Sequence, residues 1–148
     1  MTEPPHILLV EDDENDVFFL KRAFTAAGVT AQLDVARDGR EALDFLQIGK
    51  TPCLDERAPP ALVLLDLKIP YVPGLEVLRQ IRAEAKLCAV IVVVLTSSAA
   101  ESDLLHAYKL GANSYLVKPS RQEERIEMVS VLAKYWLEKN QCPKNCPG

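Results

Sequence analysis

Four polar clusters each follow directly on an apolar run in this 148-residue chain: Glu11-Asp12-Asp13 after HILLV, Asp66 after ALVLL, Thr96-Ser97 after VIVVVL, and Lys118-Pro119 after SYLV. Taken singly, each has an ordinary structural reason. Asp13 is a good helix N-cap, Asp66 a strand-end turn residue, Thr96 a loop hydroxyl and Lys118 a solvated cation. Taken together, they offer carboxylates, a hydroxyl and an ammonium to one site, provided that the fold gathers them. Acids brought that close repel and raise one another's pKa, so such a cluster needs a cation. Oxygen donors without His or Cys suit a hard ion, and Mg²⁺ takes one or two carboxylates, with waters and phosphoryl oxygens completing its octahedron. The sequence has neither a Gly-x-x-x-x-Gly-Lys-Ser/Thr nor a Gly-x-Gly-x-x-Gly segment. A phosphoryl group is therefore expected to arrive on a protein or a small donor, not on a cradled nucleotide.

The elements that must do the gathering are legible from periodicity. Short apolar runs alternate with amphipathic stretches five times, the pattern of strand and helix pairs. His6 to Val10 reads as a buried strand, and Val17, Leu20, Phe24 and Ala27 recur at helical spacing until Gly28 supplies a stop. Ala31, Leu33 and Val35 alternate with polar residues, as in a strand near a sheet edge, and Asp38 then caps a short helix carrying Ala42, Leu43 and Leu46. Ala61 to Leu65 and Val90 to Leu95 are continuously apolar, as central parallel strands are, and a helix with Leu75, Leu78 and Ile81 follows Gly74. Ser98-Ala-Ala-Glu101 and Ser120-Arg-Gln-Glu123 read as capping boxes opening the last two helices. Gly111 closes the first of these, and Ile126, Val129, Ala133 and Trp136 form the buried stripe of the second. The pattern predicts an α/β fold, a doubly wound five-stranded parallel sheet in flavodoxin-like order 2-1-3-4-5 with helices on both faces. Ligands of such sheets sit beyond the carboxyl ends of the strands, where all four clusters fall.

Composition bounds the rest. With 26% charged and 49% hydrophobic residues the chain is of ordinary globular type, and its length suits one domain over 1–148, with a core over about 6–139 and a flexible tail over 140–148. A formal charge of -4 builds in no attraction to nucleic acid or anionic lipid. The longest apolar run, Cys88 to Leu95, is far short of the roughly 20 residues that span a bilayer. Neither nucleic acid nor membrane is an expected partner. The segment MTEPPHILLV lacks the positive start of a secretory signal, and Cys53, Cys88, Cys142 and Cys146 read as reduced thiols without C-x-x-C spacing, so a cytoplasmic location is expected. Residues 48–60, with three prolines and no periodicity, read as an exposed loop.

The chain resembles the response-regulator receiver domains of two-component signalling. ILLVEDD supplies the acidic pair, LVLLDLKIP the acceptor with a Pro four residues on, VVVLTSS the hydroxyl, and NSYLVKPS the switch aromatic and the Lys-Pro pair. The separations, 30 residues from Asp66 to Thr96, 22 from Thr96 to Lys118 and three from Tyr115 to Lys118, match the chemotaxis-type receivers, and the resemblance runs over roughly 6–139. It implies that Asp66 is the phosphoacceptor, that Asp12, Asp66 and the backbone carbonyl of Lys68 bind Mg²⁺ with Glu11 acting largely through water, and that Thr96 and Lys118 contact phosphoryl oxygens. It also implies a cis peptide at Lys118-Pro119, and a switch in which Thr96 moves toward the phosphoryl group while Tyr115 turns inward. The surface so altered is the fourth helix, fifth strand and fifth helix. A receiver catalyses only its own phosphorylation and dephosphorylation, so it is not an enzyme in the ordinary sense.

Departures and extras refine the expectation. Glu11 stands where many members of the family have Asp, and the Lys68 side chain, two residues past the acceptor, is expected to tune phosphate lifetime. The 48–60 loop, His106-Ala-Tyr108 and Tyr135-Trp136 resemble the single-domain regulators that partner bacterial phytochromes. The implied partners are a sensor histidine kinase, a downstream protein or phosphotransfer partner, and a second copy through the fourth-helix to fifth-helix face. His6 and His106 read as a strand-start and a helix-surface residue. Only 30 residues follow Lys118 and the last helix uses them, so no output domain is expected. Two alternatives stand beside this reading. One is a receiver-like interaction module independent of phosphorylation, against which the full set of acceptor, acids, Thr and Lys argues. The other is a Mg²⁺-dependent phosphatase, which lacks a second acid two residues after Asp66.

Overall fold

A computed structural model describes residues 3–49 and 58–143. Strands β1 (His6–Val10), β2 (Gln32–Ala36), β3 (Leu62–Leu65), β4 (Val92–Thr96) and β5 (Ser114–Val117) form one sheet in the order β2-β1-β3-β4-β5. All four pairings are parallel. Helices α1 (Glu14–Ala26), α2 (Gly39–Phe45), α3 (Gly74–Ala83), α4 (Glu101–Lys109) and α5 (Gln122–Ala133) supply the crossovers. The doubly wound arrangement expected from the apolar runs is the one observed.

Alternation along the strands divides the interior into two layers. Ile7, Leu9, Leu62, Leu64, Val93 and Leu95 point to the side covered by α1 and α5, where Val17, Leu20, Phe24, Val129 and Leu132 meet them. Leu8, Val10, Val63, Leu65, Val92 and Val94 face α2, α3 and α4 through Ala42, Val77, Leu78, Ile81 and Ala107. Strands β3 and β4 are buried throughout because helices cover both faces, whereas β2, at the sheet edge, is partly exposed over most of its length.

The helix starts divide into two kinds. Asp13 caps α1, its carboxylate accepting from the N–H groups of Asn15 and Asp16 at 2.8 and 3.1 Å. Asp38 caps α2 by accepting from Glu41 N–H at 2.8 Å. The two capping boxes predicted for α4 and α5 do not form. Ala100 and Arg121 hold the N-cap positions without side-chain bonds. Ser98 Oγ lies two residues before the cap, where it accepts from Ala100 N–H at 3.3 Å and donates to Asp103 at 2.6 Å. The motif's residue types are present, but the helices begin one or two residues later than the motif requires. The last helix also departs from simple periodicity: after Ala133 it widens into a π-helical segment over Lys134–Lys139. Trp136 still packs on the α1 side, while Tyr135 is exposed. Cys53, most of the 48–60 loop and Cys146 lie outside the described residues; Cys88 and Cys142 are exposed.

Candidate functional site

Backbone bonds that continue the sheet ladders beyond the strands set the polar residues at one rim. Glu11 N–H donates to Ala36 O at 2.9 Å, Asp66 N–H to Val10 O at 3.1 Å, and Lys118 N–H to Thr96 O at 2.8 Å. Two glycines let the neighbouring loop close on this rim. A Cβ on Gly74 would stand 2.3 Å from Asp66 O, and one on Gly39 would stand 2.1 Å from Val72 O, so neither position has room for a side chain. Among the described residues the buried polar or charged groups are Glu11, Asp66 and Thr96, all of them here. Burial of ionisable groups is costly unless they are paired, and these are placed to interact.

Glu11, Asp12 and Asp66 each bring a carboxylate oxygen within 4.8 Å of the others, with Glu11 and Asp66 buried and Asp12 exposed. Lys118 Nζ closes the group from above β5, bonding Glu11 at 2.6 Å and Asp66 at 2.8 Å. The structure thus brings together the acids and the ammonium singled out in the sequence. Lys68 N–H donates to Asp66 Oδ1 at 3.3 Å, while the Lys68 side chain is exposed. Three carboxylates without a nitrogen or sulfur donor fit a hard divalent cation.

The electrostatics separate the two buried acids. Burial pushes the Glu11 carboxyl up to about 7, against the opposing hydrogen bonds from Lys118 and Asp13 N–H. Burial acts the same way on Asp66, but the hydrogen bond and charge of Lys118 outweigh it and hold Asp66 below its ordinary value. Burial alone would lower the Lys118 pKa, yet its bonds to Asp16, Asp66 and Glu11 raise it. At neutral pH the site therefore offers an ionised Asp66 beside a firmly charged ammonium.

Thr96 is fully buried and its Oγ1 has no hydrogen-bond partner. It lies near enough to Asp66 to favour the carboxylate without a formed bond. Tyr115, half-buried against the α2–α4 layer, donates its hydroxyl to Ser98 O at 2.9 Å. That bond ties β5 to the segment leading into α4. The expected cis peptide at Lys118-Pro119 is corrected: no cis bond occurs among the described residues. Trans is the cheaper isomer by about 0.5–1 kcal/mol even before proline, and the ammonium reaches its carboxylates from the trans backbone. One participant went unread in the sequence. Asp16, on the first turn of α1, bonds Lys118 Nζ at 2.8 Å. Its only sequence signal was its place three residues after the N-cap Asp13, which reads as an ordinary first-turn acid.

The family model for the response regulator receiver domain matches residues 7–130. The chain belongs to that family. This receiver is 42% identical over 141 residues to the probable methanogenesis regulatory protein FilR2 of Methanothrix harundinacea, across 95% of this chain and 89% of that one. It is 35% identical over 140 residues to response regulator Rcp1 of Synechocystis, across 95% and 94% of the two chains. The Mn²⁺-bound form of Rcp1 matches it with a TM-score of 0.82 over 95% of this chain and 99% of that one. The phosphorylated cyanobacterial phytochrome response regulator RcpA matches with a TM-score of 0.85 at 31% identity, over 96% of this chain and 100% of that one. The rim that carries the receiver's buried polar groups is therefore the place to look for its chemistry.

Proposed function

We propose that this receiver takes a phosphoryl group onto Asp66 from a sensor histidine kinase and reshapes a protein-binding face in response. The observation that carries the reading is the Lys118 ammonium bonded at 2.8 Å to Asp66, beside acids whose oxygens lie within 4.8 Å of one another. Glu11, Asp12, Asp66 and the Lys68 backbone carbonyl are the groups that would hold Mg²⁺, and the likeness to Mn²⁺-bound Rcp1 supports a divalent ion. When bound, the ion neutralises acids that otherwise repel and takes up charge on phosphoryl oxygens.

The chain's own residues account for the rest. Asp66, held ionised by Lys118, attacks phosphorus through a carboxylate oxygen. The phosphorus–nitrogen bond to the donor histidine breaks, and its electron pair stays on nitrogen. Lys118 and the Thr96 hydroxyl then meet charge that spreads over the phosphoryl oxygens, the dominant electrostatic requirement of such transfers. An orphaned buried hydroxyl costs about 1–3 kcal/mol, so a phosphoryl oxygen within reach draws Thr96 toward it. Tyr115, bonded to the backbone just past Thr96, couples that shift to α4. The face so altered already exposes Leu105 and Tyr108 of α4, Val117 of β5, and Val131 and Tyr135 of the last helix. A second copy of the chain, or a downstream protein that receives the signal or the phosphate, is the partner such a face fits. The likeness to RcpA supports a phytochrome-type kinase as donor.

Incubation with acetyl phosphate and Mg²⁺, read by intact mass, is expected to give one phosphate adduct on the natural chain and none on Asp66→Asn. An adduct on both would place the acceptor elsewhere. An adduct on neither would favour an interaction module that works without phosphate.

A further inference from the structure

The Lys118 ammonium has three hydrogens and bonds three carboxylates, Glu11 at 2.6 Å, Asp16 at 2.8 Å and Asp66 at 2.8 Å. Two of these acids, Glu11 and Asp66, also belong to the group that converges as if on a cation. Asp16 does not. It comes from α1 between the cap residue Asp13, whose carboxylate bonds the Asp16 N–H at 3.1 Å, and the buried Val17. The following turn of α1 is tied to α5, where the Gln122 side-chain amide donates to Phe19 O at 3.1 Å. Asp16 therefore stands on the first turn of a helix that is capped by Asp13 and tied to α5, outside the group of acids that converges as if on a cation.

We propose that Asp16 is a positioning residue, the one carboxylate that keeps the Lys118 ammonium aimed at Asp66 while its other two partners change state. The inference rests on the phosphoacceptor reading. Once the Asp66 oxygen is bonded to phosphorus, that carboxylate has become an acyl phosphate and no longer balances the ammonium as a free anion. A divalent ion held by the acid group, directly or through water, would also draw the Glu11 charge away from the ammonium. Lys118 thus loses hold of two anchors at the stage when it must sit against the phosphoryl oxygens, and Asp16 alone retains its charge and its place. A small cavity of about 20 Å³ borders this pair, lined by Glu11, Asp16, Lys118, Pro119, Arg125 and Met128 among others.

An opposite effect of Asp16 is conceivable on charge alone. One more anion near the acceptor repels an incoming phosphoryl group, so its removal would speed transfer. The two effects have opposite signs, which makes the choice measurable. Phosphorylation by acetyl phosphate is compared in the natural chain, Asp16→Asn and Asp16→Glu, with the Lys118 ammonium NMR signal followed in the Mg²⁺-loaded state before any transfer. Positioning predicts a rate about tenfold lower in Asp16→Asn, substantial recovery in Asp16→Glu, and an ammonium signal that persists in the natural chain but broadens away in Asp16→Asn. An equal or higher rate in Asp16→Asn, or an undiminished ammonium signal, would overturn the inference while leaving Asp66 as acceptor. Lack of an adduct on the natural chain would overturn the phosphoacceptor reading, and this inference with it.

Discussion

At Glu11 the fold holds a carboxyl group at 3% exposure with an ammonium 2.6 Å away, and the two influences pull its proton affinity in opposite directions. Burial prevails and raises the group from an ordinary 4.5 to about 7. The folded chain therefore binds a proton there that the unfolded chain has released. Glu11 contributes stability that is fully present below 4.5 and is lost as pH rises through about 7. Asp66 works in the other direction and over a lower window, since its pKa is depressed. The metal-free chain in chelator is expected to melt at a lower temperature at pH 8 than at pH 5.5, and Glu11→Gln to lose most of that difference. A melting temperature that rises over this range in the natural chain, or an equal fall in Glu11→Gln, would count against the assignment. The acids, Thr96 and Lys118 were legible one by one because each follows an apolar run. Asp16 was not, since its importance lies in an angular position on α1 and a partner 102 residues away, neither of which a residue type reveals.

Between residues and molecule stand the connections that bring the strand ends together. The segment after Asp66 is held closely on two sides: Gly74 N–H donates to Leu67 O at 2.9 Å, and Gly39 N–H to Pro70 O at 3.2 Å. Tyr71, between these anchors, takes a φ of +69° that a side chain adopts only under constraint, and the Arg40 guanidinium lies 3.6 Å from its ring centre. Gly39→Ala is expected to cost about 1–3 kcal/mol, because its Cβ would overlap the Val72 carbonyl. It should also weaken Mg²⁺ binding, since the displaced loop carries the Lys68 carbonyl. Denaturant melts and a metal titration would check both; a stable variant with unchanged affinity would show that α2 does not brace the loop. Strands and helices were readable at this scale from period 2 and period 3.6, and so were the Asp13 and Asp38 caps. The boxes at Ser98 and Ser120 misled because the backbone chose later starting points, and the widened turns after Ala133 have no counterpart in a fixed helical period.

For the molecule as a whole, the sequence was most informative where burial is complete. The runs of β3 and β4 have no polar side to misplace, so their central place in the sheet followed from them, while the order 2-1-3-4-5 came from the repeated strand–helix alternation. The outer face of α4, β5 and α5 was harder to read, because an apolar residue in a helix looks the same whether it packs inward or outward. Val131, 63% exposed, is such a residue. If a second copy covers this face, sedimentation after phosphorylation should show a dimer for the natural chain and a monomer for Val131→Glu, with acetyl phosphate labelling of Asp66 unchanged. Dimerisation undisturbed by the substitution would move the contact elsewhere. At the opposite edge of the strands, Arg82 of α3 donates to Val90 O, Gly111 O and Asn113 Oδ1, each at 2.8 Å. These acceptors precede β4 and β5, whereas Thr96 and Lys118 terminate or follow them. The two strands are consequently clamped at their roots and loaded at their tips, like a pair of cantilevers. A load at the tips is therefore expected to bend the strands about these roots, with Arg82→Ala freeing them to slide.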